Sequence, residues 1–195
     1  MANMTLTEQR YYTADEFWDY CQLPENQDRR IELLEGEIIS MPFATLYHGI
    51  IAGQLTGHLG LFIRQNDLGV VTAAGTGFVM CVNPISGKES ILAPDIAFIR
   101  KDRVPQPIPP TGYGRVVPDL VVEVVSPNDK PDELEEKIVQ YLRAGVRLVW
   151  ALYPRTRTIL AHTADKGMRF DETMSLDGGD VLPGFTLSLA ELFKR

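Results

Sequence analysis

Pro118-Asp119-Leu120-Val121-Val122-Glu123-Val124-Val125-Ser126-Pro127 is the stretch on which the fold turns. Its apolar run is nearly continuous, so the strand it forms has no solvent face and belongs at the centre of a covered sheet. Glu123 interrupts that run, and burying an ionised carboxylate is costly unless a cation or a metal pairs with it. A helix follows over about 132–144, with Pro131 near its start and Gly145 after its end. At about 100° per residue, Leu134, Ile138, Tyr141, Leu142 and Val146 share an apolar arc, and Lys137 falls at its margin beside Tyr141. This helix comes straight after the glutamate strand and must pack back on the sheet, which can carry Lys137 toward Glu123. Lys137 could equally extend its ammonium into water, or pair with Glu133 one turn away.

Outward from this unit, Leu92-Ala93-Pro94-Asp95-Ile96-Ala97-Phe98-Ile99 belongs to a second strand, read over Ile91 to Arg100, that carries a second carboxylate. Asp95 either closes a strand end against a cation such as Arg100 or joins Glu123 at a common site. Val70 to Val82 reads as one further strand. Thr13-Ala14-Asp15-Glu16 is a capping box that opens a short helix over about 13–21. Glu35-Gly36 turns a tight hairpin, with Gly36 at positive φ and Glu37 opening its second strand. Glu37 is a solvated strand end or an auxiliary carboxylate.

Residues 45–65 form a long helix with His48, Ile51, Leu55, Leu59 and Phe62 on one face. Gly49, Gly53, Gly57 and Gly60 suit close packing of that helix on the sheet. His48 heads the stripe, as a satisfied core histidine or as a group that orients a phosphate or ligates a metal. Arg147 to Tyr153 and Thr156 to His162 read as another hairpin, Asp165 to Asp180 as a polar loop, and Ser188-Leu189-Ala190-Glu191 as a capping box for a last helical turn. Asp102 to Arg115, rich in proline and glycine, is a loop between the two carboxylate strands and could lie over a site. With no repeat or linker, residues 1–195 read as a single α/β domain with a mixed sheet.

A net charge of −7 disfavours broad nonspecific affinity for nucleic acid. It leaves room for a local basic rim drawn from Arg29-Arg30, Arg100-Lys101, Arg103, Arg143 and Arg147. Cys21 and Cys81 show no metal-type spacing and read as free thiols in or near the core, consistent with a reducing cytoplasm. The first 30 residues lack a secretory signal, and Gln54, Thr56 and His58 break the most apolar helix, so a cytoplasmic chain with no membrane span is expected. The sequence contains no HExxH, GxSxG, Walker loop or GxGxxG, which sets aside serine hydrolases and nucleotide cofactors; no organic cofactor is expected.

In order along the chain, Ile31-Glu32-Leu33-Leu34-Glu35-Gly36-Glu37-Ile38, His48-Gly49, Pro94-Asp95-Ile96-Ala97-Phe98, the Pro118–Pro127 stretch, Glu136-Lys137 through Tyr141 and Leu182-Pro183-Gly184-Phe185 resemble the PD-(D/E)XK restriction-endonuclease-like superfamily. More specifically, they resemble the Uma-two family of endonucleases. The resemblance implies a mixed central β-sheet flanked by helices, with additional hairpins. It implies a Mg²⁺-dependent endonuclease acting on DNA, with Mn²⁺ able to substitute. Asp95 and Glu123 would hold the metal with the backbone carbonyl of Val124, and His48 and Glu37 would be auxiliary. In the superfamily the lysine usually lies two residues after the glutamate, where this chain has Val125; the resemblance assigns that role to Lys137. A homodimer would let two sites cut both strands, although no residue of the sequence fixes one. The alternative is a catalytically silent nucleic-acid or protein interaction module that keeps the nuclease fold. In a third possibility Asp95, Glu123 and Lys137 form only a structural ion cluster.

Overall fold

The structure is a computed structural model describing residues 10–82, 86–127 and 129–194; the side chains of Cys81 and Val82 are outside the description, and with them the expected thiol of Cys81. Leu120–Val124 (β7) lies inside a six-stranded sheet. It pairs antiparallel with Ile96–Arg100 (β6) and parallel with Leu148–Tyr153 (β8). The parallel step is made by Pro131–Ala144 (α3), which crosses back over the sheet and ends at Gly145, whose φ of +101° suits a residue without Cβ. Gly69–Ala73 (β3) extends the sheet beyond β6, and Thr158–His162 (β9) with Gly167–Asp171 (β10) extend it beyond β8. One parallel pair among antiparallel neighbours makes this the mixed sheet that the sequence implies.

Strand alternation divides the core into two layers. Ile96, Phe98, Leu120, Val122, Trp150 and Leu152 pack against Ile51, Leu55, Leu59 and Ile63 of Leu46–Gln65 (α2). Each such fully buried aliphatic side chain contributes about 1.5–3 kcal/mol. The hairpin of Ser175–Gly178 (β11) and Leu182–Ser188 (β12), with the turn Leu189–Leu192 (α4), adds to the same layer. Ala97, Ile99, Val121, Val149 and Ala151 pack on the other side with Ile138 and Tyr141 of α3. Glu123 shares the parity of Val121, so the strand turns it toward α3.

A second sheet has the order Glu37–Ser40 (β2), Ile31–Leu34 (β1), Glu89–Leu92 (β5) and Phe78–Val82 (β4). Leu33 packs with Ala14 and Phe17 of Ala14–Gln22 (α1), the helix capped by Thr13 and Glu16 as expected. Leu34 packs with the α3 layer instead, so β1 is covered on both faces.

Several expectations give way to this architecture. Val70 to Val82 is two strands, β3 and β4, which separate at a turn and enter different sheets. Ile91 to Arg100 likewise divides into β5 and β6 at Ala93-Pro94-Asp95, because Pro94 has no N–H to offer a ladder. Asp95 therefore sits at the crossover from one sheet to the other, not within a strand. Asp165 to Asp180 holds β10 and β11; β10 reads as a loop because it is an edge strand with only Phe170 buried. Gly49, Gly53 and Gly57 face open space, and only Gly60 approaches the sheet, with its Cβ position 3.4 Å from Val71. Ser188 precedes α4 but makes no side-chain cap. Among the described residues no helix is long and apolar enough to cross a membrane.

Candidate metal and phosphoester site

The crossover at Asp95 is fastened to β7 by the Val124 N–H, which donates to Asp95 Oδ2 at 2.8 Å. His48, in the first turn of α2, places Nε2 3.1 Å from the same oxygen. Its backbone N–H is held by the cap residue Thr45. The hydrogen bond to Asp95 raises the His48 pKa above its usual value, against the opposing effect of burial.

Glu123 meets two side chains of α3 that lie one turn apart. Tyr141 Oη donates a short hydrogen bond to Glu123 Oε1, and Lys137 Nζ stands 3.7 Å from that oxygen. Burial pushes the Glu123 carboxyl up to about 7; Lys137 pulls it down, while Asp95 and Glu32 push it further up. Burial opposes the Lys137 ammonium as well, but Glu123 and Glu32 outweigh it and raise its pKa. The Tyr141 phenol is raised well above its usual range by burial and by the same carboxylates, so it remains a donor.

Glu32 is the residue that sequence reasoning missed. It is buried in β1, its Oε2 lies 2.8 Å from Lys137 Nζ, and its Oε1 accepts from the Ala93 N–H at 3.0 Å. The signal was present as a charge inside Ile31-Glu32-Leu33-Leu34. It becomes readable only once β1 is known to be covered on both faces. Tyr141, on the helix's apolar arc and one turn from Lys137, is buried in the core and also donates to Glu123.

Asp95, Glu123, Lys137, His48 and Glu32 line one cavity of about 310 Å³, whose wall also includes Arg29, Arg30 and Tyr113. Glu37 is not brought to it: it is exposed at the start of β2 and borders a different cavity with Asp132, Glu135, Glu136 and Arg143. Of the proposed basic rim, only Arg29 and Arg30 reach the site. Arg100 pairs with Asp102, Lys101 with Asp67 and Arg103 with the buried Asp119, while Arg147 lines another cavity. The proline-rich loop contributes Tyr113 here, but Pro105, Ile108 and Pro109 line a separate apolar cavity with Trp18 and Val70.

The donor set discriminates among metals. Among the described residues no group of three or more His, Cys, Asp or Glu side chains is set to hold an ion. Two carboxylates with hard oxygens beside an open cavity fit Mg²⁺, which keeps several of its waters and takes one or two acids from the protein. Asp95 Oδ2 is held by the Val124 N–H and His48, and Glu123 Oε1 by Tyr141, so both carboxylates are fixed in orientation at the cavity.

A sequence profile described as "Uma2: Putative restriction endonuclease" matches residues 17–190. No curated protein matches the sequence. Among solved structures, the crystal structure of "a putative nuclease belonging to DUF820" from Anabaena variabilis superposes with a TM-score of 0.76 at 21% identity, covering 93% of this chain and 97% of that one. At this identity the likeness is one of fold, and the mixed sheet flanked by helices is restriction-endonuclease-like.

Proposed function

The chain belongs to the Uma2 restriction-endonuclease family, and from that membership we propose that it is a Mg²⁺-dependent endonuclease hydrolysing DNA phosphodiester bonds. One observation carries the reading. Asp95 at the sheet crossover and Glu123 in β7 open into the same cavity, with the Lys137 ammonium 3.7 Å from Glu123.

Asp95, Glu123 and the carbonyl of Val124 are the groups that would hold Mg²⁺, or Mn²⁺ in its place. Such a cation, when bound, lowers the pKa of a coordinated water and neutralises charge that builds on the phosphate. Lys137 keeps a positive charge at the acids and can donate to the attacking water or to a phosphate oxygen. Glu32 fixes the direction of that ammonium through the contact at 2.8 Å. His48 steadies Asp95 from the α2 side, and Tyr141 steadies Glu123 from α3. The role usually met two residues after the glutamate is thus taken by a side chain on the next helix, arriving at the same carboxylate.

Incubation of the purified protein with DNA in Mg²⁺ or Mn²⁺, and in EDTA, tests the proposal. Cleavage should require the metal and disappear in Asp95→Ala and Glu123→Ala, with circular dichroism unchanged. Full cleavage by either variant, or cleavage in EDTA, would refute the assigned roles. Absence of any calorimetric heat with millimolar Mg²⁺ or Mn²⁺ would favour the silent interaction module.

A further inference from the structure

Two cations and an aromatic ring stand at the cavity beyond the groups that the hydrolysis uses. Arg29 is oriented by neutral partners: Nη1 donates to Tyr20 Oη at 2.7 Å and to Asn26 Oδ1 at 2.9 Å. Asn26 is itself buried and donates to the Tyr20 carbonyl at 3.0 Å. Arg30 donates to the Pro42 carbonyl at 3.4 Å, and the Met41 N–H donates to the Arg30 carbonyl at 2.8 Å. Among the described residues neither guanidinium meets a carboxylate, whereas Arg100, Arg103 and Arg115 all do. On a chain of net charge −7, two guanidiniums held ready by uncharged groups are matched to an anion such as phosphate.

The bonds to Arg30 also tether Met41-Pro42-Phe43, the segment that leads into α2. Phe43 lines the same cavity and is 84% exposed, and Leu46 is 82% exposed. A phenyl ring left in water beside phosphate-seeking guanidiniums offers a face on which a base can stack. The acids lie deeper, with the Glu123 side chain only 12% exposed. In a duplex both faces of an internal base are covered by its neighbours, and the backbone is held on the outside of a wide cylinder. An unpaired strand has free base faces and a backbone that can bend into a recess.

Resting on the nuclease reading, we propose that this rim selects single-stranded DNA: Arg29 and Arg30 take backbone phosphates, Phe43 stacks on an unpaired base, and the phosphodiester between them reaches Asp95 and Glu123. Strand ends, gaps and unpaired tracts are then favoured over intact duplex.

Fluorescence anisotropy in EDTA, where metal-dependent hydrolysis is absent, reads the binding alone. Fluorescein-labelled dT12 should bind at least about tenfold more tightly than a blunt duplex of equal length. Phe43→Ala should weaken dT12 by about tenfold and leave the duplex unchanged, and Phe43→Trp should restore the affinity. The Arg29→Gln/Arg30→Gln double variant should reduce the salt dependence of dT12 binding by about 1.4 in log–log slope, roughly 0.7 for each lost phosphate contact. Equal binding of the two probes, or an unchanged dT12 affinity in Phe43→Ala, would overturn the inference. Failure to cleave in Mg²⁺ with this binding pattern intact would defeat the nuclease reading and leave the strand grip standing.

Discussion

Glu123 and Lys137 are each held in their charged forms by the other and penalised by burial, and that balance makes them measurable. The Glu123 pKa near 7 lies above its ordinary value of 4.5, so the folded protein holds this proton more tightly than the unfolded chain. The contribution is fully present below about pH 4.5 and is lost as pH rises through about 7. In EDTA, urea midpoints should therefore fall between about pH 5 and 7.5 more steeply in the wild type than in Glu123→Gln; parallel falls would contradict the assignment. Lys137→Ala leaves Glu32 and Glu123 facing one another without their shared cation. A loss of about 3–5 kcal/mol in urea unfolding is expected, partly recovered by adding Glu32→Gln. Asp95, Glu123 and Lys137 were legible because each interrupts or borders an apolar pattern, and a buried charge demands an explanation. Glu32 obeys the same logic but was passed over, since a four-residue hairpin strand gives too little alternation to show that both faces are covered. Glu37, from the same hairpin, starts β2 at the surface, where exposure removes the penalty that makes a buried carboxylate conspicuous.

At the level of elements, periodicity located the helices and β7 well, because 3.6-residue and continuous apolar patterns are long-range averages. It failed at strand ends, where one residue redirects the chain. Pro94 was visible, but its consequence depends on a second sheet being there to receive β6. β10 was unreadable for another reason, since an edge strand with one buried side chain has the composition of a loop. Two glycines separate close packing from mere permissiveness. Gly69 has φ +150°, and an added Cβ would lie 2.1 Å from the Ile99 carbonyl oxygen, so Gly69→Ala must prise β3 from β6. A cost on the order of 3 kcal/mol or more is expected by chemical denaturation. Gly53, in mid-helix with nothing within 4 Å, predicts the opposite sign. Gly53→Ala should stabilise by about 0.5–1 kcal/mol, and a destabilised Gly53→Ala would mean that this face of α2 is covered in solution.

Over the whole molecule, the site forms where two sheets meet. Asp95 marks the crossover between them, Glu123 comes from the larger sheet and Glu32 from the smaller, and Lys137 of α3 bridges those two glutamates. Glu32 and Lys137 are 105 residues apart, so their contact is a property of the topology that no local pattern contains. The order of motifs was nevertheless enough to expect the fold and the family, because a buried acid, a crossover acid and a following helix are placed by the same chain path. The site's electrostatics make a further molecular-scale prediction. Mg²⁺ at 100 times its Kd should stabilise the wild type by about 2.7 kcal/mol through linkage, an increment that Asp95→Asn should lack in thermal unfolding. The most direct measurement is the anomalous scattering of a crystal soaked in Mn²⁺. A single strong peak is expected between Asp95 and Glu123, within ligand distance of one oxygen from each and close to the Val124 carbonyl. A peak elsewhere, or none there at saturating Mn²⁺, would contradict the proposed site.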